Sequence, residues 1–187
     1  MVKVKIQNPK IFFNTDHLEG EKIQSSTRFL KDLNSVFNNN EAFVMLDPQQ
    51  PVYEVDCYLP VIENKSGGLF FGVTRIFPGK VGDEFFMTKG HFHSNSDTAE
   101  FYWGIKGKGL LLFMDKDRKV WAEEMTKGSV HYIPGNIAHR VINTGAEMLS
   151  FGACWPSDAG HDYASIEKKG FSARVYEKEG KPVIIEE

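Results

Sequence analysis

The chain has 187 residues, 41% of them hydrophobic and 25% charged, with a formal net charge of −3. That length bounds it to one domain, or one domain with an arm, and the composition excludes a wholly disordered or fibrous chain. The slight acidity excludes a general nucleic-acid binder, which needs cations to meet phosphates, and no run of about 18 apolar residues exists to span a membrane. The opening MVKVKIQNPK lacks the apolar stretch of a secretory leader, so a cytoplasmic protein without nucleic-acid or membrane partners is expected. Cys57 and Cys154 are far apart in apolar stretches and fit no zinc spacing; reduced core thiols are expected.

In chain order, the opening VKVKI reads as a short strand. Ser25 and Ser26 are candidate caps for a helix over Thr27–Phe37, whose Phe29, Leu30, Leu33 and Phe37 would share a face. The Asn38-Asn39-Asn40 run would end it. Residues 1–51 therefore read as a short helical arm or flap, and 52–187 as the main domain. From Val52 the pattern changes to short strands. Tyr53, Val55, Cys57 and Leu59 alternate with Glu54, Asp56 and Tyr58, and Leu69–Phe77 is stopped by Pro78-Gly79-Lys80. Further strands are expected at Phe85–Thr88, Glu100–Trp103, Leu110–Met114, Lys119–Glu124, Ser129–Ile133, Ala138–Asn143, Met148–Trp155 and Ser172–Tyr176. Many short strands at close spacing, with no long helix after Phe37, indicate a mainly all-β sandwich or barrel.

Six histidines are present. His91 and His93 form an HxH pair, and on extended chain residues i and i+2 face the same side, so both imidazoles can reach one point. Glu100 follows the polar turn Ser94-Asn95-Ser96-Asp97, and a hairpin there would return it beside the pair. His139 opens another strand after Pro134-Gly135-Asn136. Three imidazoles and a carboxylate suit Fe²⁺, Mn²⁺, Ni²⁺, Co²⁺ or Zn²⁺, although an HxH alone is more often a surface coincidence. His131 reads as structural and His17 as exposed.

The segment from Gly90 resembles the two cupin motifs. Glu100-x6-Gly107 fits the first; Gly128-x5-Pro134, His139 and Asn143 fit the second, with Asn136 where the pattern has Gly. Asn also tolerates the left-handed conformation of such a turn. FPGKVGDEFF, TKGHFH, AEFYWGIKGKG, PGNIAHRVINTG and WPSDAGHDYASIEKKGF resemble, more narrowly, the cupin-type phosphoglucose isomerases, over roughly Val52 to Phe171. The resemblance implies a jelly-roll-like antiparallel β-barrel with one divalent metal per subunit, Fe²⁺ first among the candidates. It implies His91, His93, Glu100 and His139 as ligands, and substrate contacts by Tyr53, Thr74, Thr88, Gly90, Tyr102, His161 and Tyr163. Trp155 departs from the family's Tyr and is assigned to pocket lining. The resemblance further implies a homodimer, into whose partner sheet a strand at Val2–Ile6 could cross.

Strand parity supports several of these assignments. Glu100 and Tyr102 share a face, as do Thr74, Gly72 and Phe70, and Trp155 aligns with Leu149, Phe151 and Ala153. Thr88 is out of step with His91 unless the chain bends at Gly90. A sugar phosphate needs compensating donors, which keeps Lys89 a candidate.

The implied reaction interconverts glucose 6-phosphate and fructose 6-phosphate. Glu100 could shuttle the proton between C1 and C2 through an enediol, with Tyr102 beside it and His161 serving ring opening; a hydride shift fits the same residues. Thr74, Thr88 and Gly90 would hold the phosphate. A preference for mannose 6-phosphate fits the same set. Two other classes share the ligand pattern: a cupin dioxygenase with a His₃Glu iron site, and a non-catalytic sugar-binding cupin module. The first calls for a more apolar pocket, and the second is normally joined to a DNA-binding domain.

Overall fold

The computed structural model describes residues 4–187. Its elements run β1 (Ile11–Asn14), β2 (His17–Gly20), β3 (Ile23–Phe29), a 3-10 turn at Leu30–Leu33, α1 (Asn40–Val44), β4 (Pro51–Tyr58), β5 (Leu69–Ile76), β6 (Lys80–Val81), β7 (Glu84–Phe85), β8 (Glu100–Lys106), β9 (Lys108–Met114), β10 (Val120–Thr126), β11 (Val130–Ile133), β12 (Ala138–Asn143), β13 (Leu149–Pro156), α2 (Ala164–Lys169), β14 (Ala173–Lys178) and β15 (Lys181–Glu186). All the strand ladders are antiparallel. They form a six-stranded sheet in the order β11-β8-β13-β5-β4-β3, a three-stranded sheet β10-β9-β12, a four-stranded sheet β15-β14-β7-β6 and the hairpin β1-β2. The mainly all-β expectation holds. No described helix is long and apolar enough to cross a membrane.

The sheets share one core. Ile76, Ile133 and Leu149 come from the first, Leu111, Phe113, Met125, Val141 and Ile142 from the second, and Val81, Phe85 and Val175 from the third. Tyr53, Tyr102, Phe151 and Ala153 belong both to this core and to the wall of a cavity. Close packing sets where glycine stands: a Cβ on Gly152 of β13 would lie 2.0 Å from the Trp103 ring of β8.

The helix expected over Thr27–Phe37 is not formed. Residues through Phe29 are the edge strand β3, paired with β4 from Ile23↔Tyr58 to Phe29↔Pro51. A helix this short is marginal by itself, whereas the strand finds a ready ladder. Leu30 and Leu33 are still fully buried, but in a 3-10 turn whose Leu30 and Lys31 N–H groups donate to the Gln50 and Pro48 carbonyls; Phe37 is buried beyond that turn, and Phe29 is half-buried at the end of β3. The asparagine run opens a helix instead of closing one: Asn39 Oδ1 accepts from the Ala42 N–H at 2.9 Å and caps α1. Of the strand expected at Val2–Ile6, positions 2 and 3 lie outside the described residues and Val4–Ile6 is exposed irregular chain. Two hairpins, β1-β2 and β14-β15, extend beyond the strands read from the sequence.

The sheet face away from the cavity is held by a buried charge cluster. Arg75 Nη1 donates to Asp56 Oδ2 at 2.7 Å and to the Asp16 carbonyl at 2.9 Å. Ser25 Oγ donates to Asp56 at 2.7 Å, and Ser150 Oγ donates to the Asp16 carboxylate at 3.1 Å. Asp16, Ser25, Asp56, Arg75 and Ser150 thus tie the β1-β2 hairpin to four strands of the six. Burial alone would raise the Asp56 pKa, but the hydrogen bonds from Arg75 and Ser25 outweigh it and hold the carboxyl below its ordinary value. Removing one partner of a buried pair costs stability, even though Arg75 would keep Glu54 at 3.3 Å and the Asp16 carbonyl. Asp56→Ala should therefore lower stability by about 3 kcal/mol in urea denaturation. A carboxyl with a depressed folded pKa stabilises above its unfolded value and loses that contribution as pH falls. The stability of the parent should thus drop below about pH 4, and Asp56→Ala should drop less across the same window. An unchanged denaturation midpoint in the variant would contradict this account.

Candidate active site

A cavity of about 470 Å³ opens beside the core. It is lined by β3, β4, β5, β8, β12 and β13 together with two connecting segments, 88–91 and 161–163. Of the site residues expected from the sequence, Tyr53, Thr74, Thr88, Gly90, His91, Glu100, Tyr102, His139, Trp155, His161 and Tyr163 all line it. His93 does not; it is buried next to Glu100, at 7% exposure.

Two isolated bridges bring the imidazoles together. His91 pairs with His139 of β12, each donating its N–H to the other's carbonyl, at 3.3 and 3.1 Å. Phe92 pairs in the same way with Asp162. Alternation then turns His91 and His93 to the side that the flanking residues of the partner segment, His161 and Tyr163, also face. The His91 ring centroid is 4.5 Å from those of both His139 and His161, and His161 stacks on Tyr163 at 5.6 Å with 4° between planes. Asp162 fixes this segment further by accepting from the Ser165 N–H and hydroxyl at the start of α2. The Pro-Gly-Asn turn before β12 carries Asn136 at φ +66°, the left-handed residue its spacing calls for.

One ligand atom from each of His91, His93, Glu100 and His139 lies within 4.8 Å of the others. Ligands about 2.1 Å from one shared ion stand up to about 4.2 Å apart, so the set is close to that geometry. The Glu100 carboxylate oxygen Oε1 lies 2.6 Å from His139 Nε2 and 3.1 Å from His93 Nε2. His139 Nε2 is nonetheless a buried nitrogen without a hydrogen-bond partner; it is close to Glu100 but not aligned with it. The outer nitrogens are anchored: His93 Nδ1 lies 2.9 Å from the Thr98 carbonyl and His139 Nδ1 3.3 Å from that of Ile137. An Nδ1–H donated to a carbonyl would leave the Nε2 lone pair aimed inward for a cation, whereas a protonated Nε2 would face the Glu100 carboxylate. The cluster can therefore hold a divalent metal.

The electrostatics agree. Burial first, then His139 and His161, pushes His91 well below the ordinary histidine value, so it is neutral, as a ligand must be. Burial works against the Glu100 carboxylate, but His139 and His93 outweigh it and keep it ionised. Burial lowers His161. It raises Tyr102 well above the ordinary phenol, with Glu100 adding to the effect, and Tyr53 to about 12. Both tyrosines are neutral donors.

The bend at Gly90 resolves the position of Thr88. Gly90 has φ +77°, and a Cβ there would meet Phe171 at 2.8 Å and Arg140 at 3.0 Å. Thr88 Oγ1 accepts from the Val141 N–H at 3.1 Å, so its own proton is left to donate. Lys89 ion-pairs with Glu167 at 2.5 Å and lies 5.0 Å over the Tyr163 ring. His131 is structural, its ring nitrogens engaged by Glu123 at 2.6 Å and Ser129 at 2.8 Å.

Arg28, Ser26 and Cys57 also line the cavity, and none of them is among the site residues expected from the sequence. Arg28 and Ser26 were hidden by the helical reading of residues 27–37; the strict pairing of Thr27 and Arg28 with β4 has no local signature. Burial, followed by the neighbouring Asp56, pushes the free Cys57 thiol up to about 11. At pH 8, Cys57 should react with iodoacetamide on the order of 10²-fold more slowly than free cysteine, because so little thiolate is present. Peptide mass spectrometry in a Cys154→Ser background measures this, and labelling at the free-cysteine rate would refute it.

The family model "Glucose-6-phosphate isomerase (GPI)" matches residues 27–186. The glucose-6-phosphate isomerase of Thermococcus litoralis is 45% identical over 177 residues, covering 94% of this chain and 91% of that protein. The enzyme of the same name from Thermococcus kodakarensis is 47% identical over 160 residues, covering 85% and 84%. Among solved structures, oxalate decarboxylase from Bacillus subtilis aligns with a TM-score of 0.47 at 23% identity, over 59% of this chain and 26% of that one. With sequence likeness running nearly end to end and a three-histidine, one-glutamate cluster at the cavity, the chain belongs to the cupin-type glucose-6-phosphate isomerase family.

Proposed function

We propose that this chain interconverts glucose 6-phosphate and fructose 6-phosphate at the cavity, with one Fe²⁺ held by His91, His93, Glu100 and His139. The observation that carries the reading is the juxtaposition, in one cavity, of that cluster with the neutral donors Thr88, Tyr53 and Tyr102. A divalent ion held by these four residues would supply Lewis-acid polarisation of the substrate carbonyl. The remaining steps belong to side chains. From fructose 6-phosphate, Glu100 removes a proton from C1 and delivers it to C2, while the hydroxyl proton passes from O1 to O2. Both short imidazole contacts of Glu100 run to Oε1, which leaves Oε2 for the proton. Tyr102, two residues along the same strand face, donates to an oxygen of the enediol. His161, kept neutral by burial, opens the sugar ring. Thr74, Thr88 and the Gly90 N–H take the phosphate with Tyr53 and Tyr163, and Trp155 walls the apolar side. Hydrogen bonds to a charged phosphate are the stronger kind.

We further propose that the enzyme is a cytoplasmic homodimer. Phe101, Val130 and Tyr132 form an exposed apolar strip on β8 and β11, at 50%, 69% and 55% exposure, and a second copy would bury it.

Removal of metal by chelation should abolish isomerisation in a coupled assay, and Fe²⁺ or Mn²⁺ should restore it. Full activity in metal-free protein would overturn the reading. Glu100→Gln keeps an oxygen donor but removes the base, so kcat should fall on the order of 10²–10⁴-fold while bound metal falls less. In D₂O, glucose 6-phosphate formed from fructose 6-phosphate should carry deuterium at C2. Unlabelled product together with near-normal turnover by Glu100→Gln would remove Glu100 from the proton transfer.

A further inference from the structure

Arg28 and Lys89 are the two cations that line the cavity. Lys89 is committed to Glu167. The other arginines are occupied too: Arg75 pairs with Asp56, Arg174 with Glu84 and Glu187, Arg140 lies over the Phe171 ring, and Arg118 donates to the Gly170 carbonyl. Arg28 has no carboxylate within ion-pairing distance among the described residues.

Its direction follows from the sheet. Arg28 stands opposite Tyr53, and Ser26 opposite Val55, in the β3-β4 ladder. Directly opposed residues project from the same face, and Tyr53 and Val55 face the cavity. The ladder slips between Arg28 and Phe29, and such bulges re-aim side chains at sheet edges. Arg28 and the Lys89 backbone both act on the Tyr53 hydroxyl, opposing the rise in its pKa that burial causes. The cation, which has no carboxylate partner among the described residues, thus lines the same cavity as the Thr88–Gly90 bend, where the Thr88 hydroxyl proton is left to donate.

We propose that Arg28 is a phosphate-binding residue: it closes the anion site from the edge strand and selects dianionic sugar phosphates over free sugars. This rests on the isomerase reading for the identity of the sugar, but not for the phosphate. A guanidinium offers a planar pair of N–H donors that matches phosphate oxygens, and an exposed cation at a cleft mouth also draws anions in from solution.

The test compares metal-loaded parent protein with Arg28→Met and Arg28→Lys, measuring inorganic phosphate binding by calorimetry and KM for fructose 6-phosphate. Arg28→Met should weaken phosphate binding and raise KM by about 10-fold, with a much smaller change in kcat. Arg28→Lys, which keeps the charge and loses the fork, should fall between. The parent's KM should rise with ionic strength more steeply than that of Arg28→Met. Arg28 is exposed on an edge strand, and circular dichroism checks that the variants fold. Phosphate binding unchanged in folded Arg28→Met overturns the proposal, whatever the turnover. Weakened phosphate binding in a protein that does not isomerise hexose 6-phosphates supports Arg28 and overturns the isomerase reading instead.

Discussion

Glu100 is a carboxylate with 5% of its surface exposed, and an ionised group taken that far from water costs several kcal/mol unless it is compensated. Here the compensation comes from imidazoles on chain segments far apart in sequence. His139 belongs to β12 of the three-stranded sheet and Glu100 to β8 of the six-stranded one, while His91 and His93 sit on the irregular stretch between β7 and β8. The cluster therefore forms only when both sheets have closed on the shared core. Its local supports are modest: two bridges, the Thr98 and Ile137 carbonyls, and one left-handed asparagine. Each restricts an imidazole to one orientation, which is how a nearly buried acid can be kept ionised and still face a cavity.

The six-stranded sheet keeps two kinds of polarity apart. On the cavity side, Thr74, Tyr53, Tyr102 and Glu100 alternate with the core. On the other side, Arg75 and Asp56 are satisfied by Asp16, Ser25 and Ser150. Thr74 and Arg75 are neighbours in sequence and belong to opposite environments. A one-residue slip of β5 would exchange them, placing a guanidinium in the site and a hydroxyl in the ion cluster. The buried charges on the back of the sheet thus fix register for the front.

How much of this is visible in the sequence depends on how local the determining contact is. Ala138–Asn143 is read to the residue, because its apolar alternation and the turn before it both lie within ten residues. The HxH pair and Glu100 are legible for the same reason, being i, i+2 and one turn away. The bend that admits Thr88 is foreshadowed by Gly90. Thr27–Phe37 fails because Phe29, Leu30, Leu33 and Phe37 fit a helical period equally well, and the contest is settled by β4, about twenty-five residues downstream. Arg28 goes unnoticed with it. The short α2 and the β14-β15 hairpin are missed wholly or in part, since Ala164–Lys169 and Lys181–Glu186 carry too few buried residues to mark a face. The isomerase resemblance depends on long matched segments from Val52 to Phe171, and is correspondingly silent about β3.

The composition of β3 has a bearing on solubility as well. An outermost strand offers unpaired backbone groups to any other strand it meets, and such edges seed sheet-to-sheet association. β3 runs Ile23-Gln24-Ser25-Ser26-Thr27-Arg28-Phe29, with four polar side chains in succession, one charge and an irregular end. A charge on an edge strand disfavours pairing with another strand, and the bulge spoils the flatness that a second strand would need. The features that make this strand a hydrophilic rim for the cavity also make it a poor template for aggregation, so the edge can lie open to solvent without a covering segment.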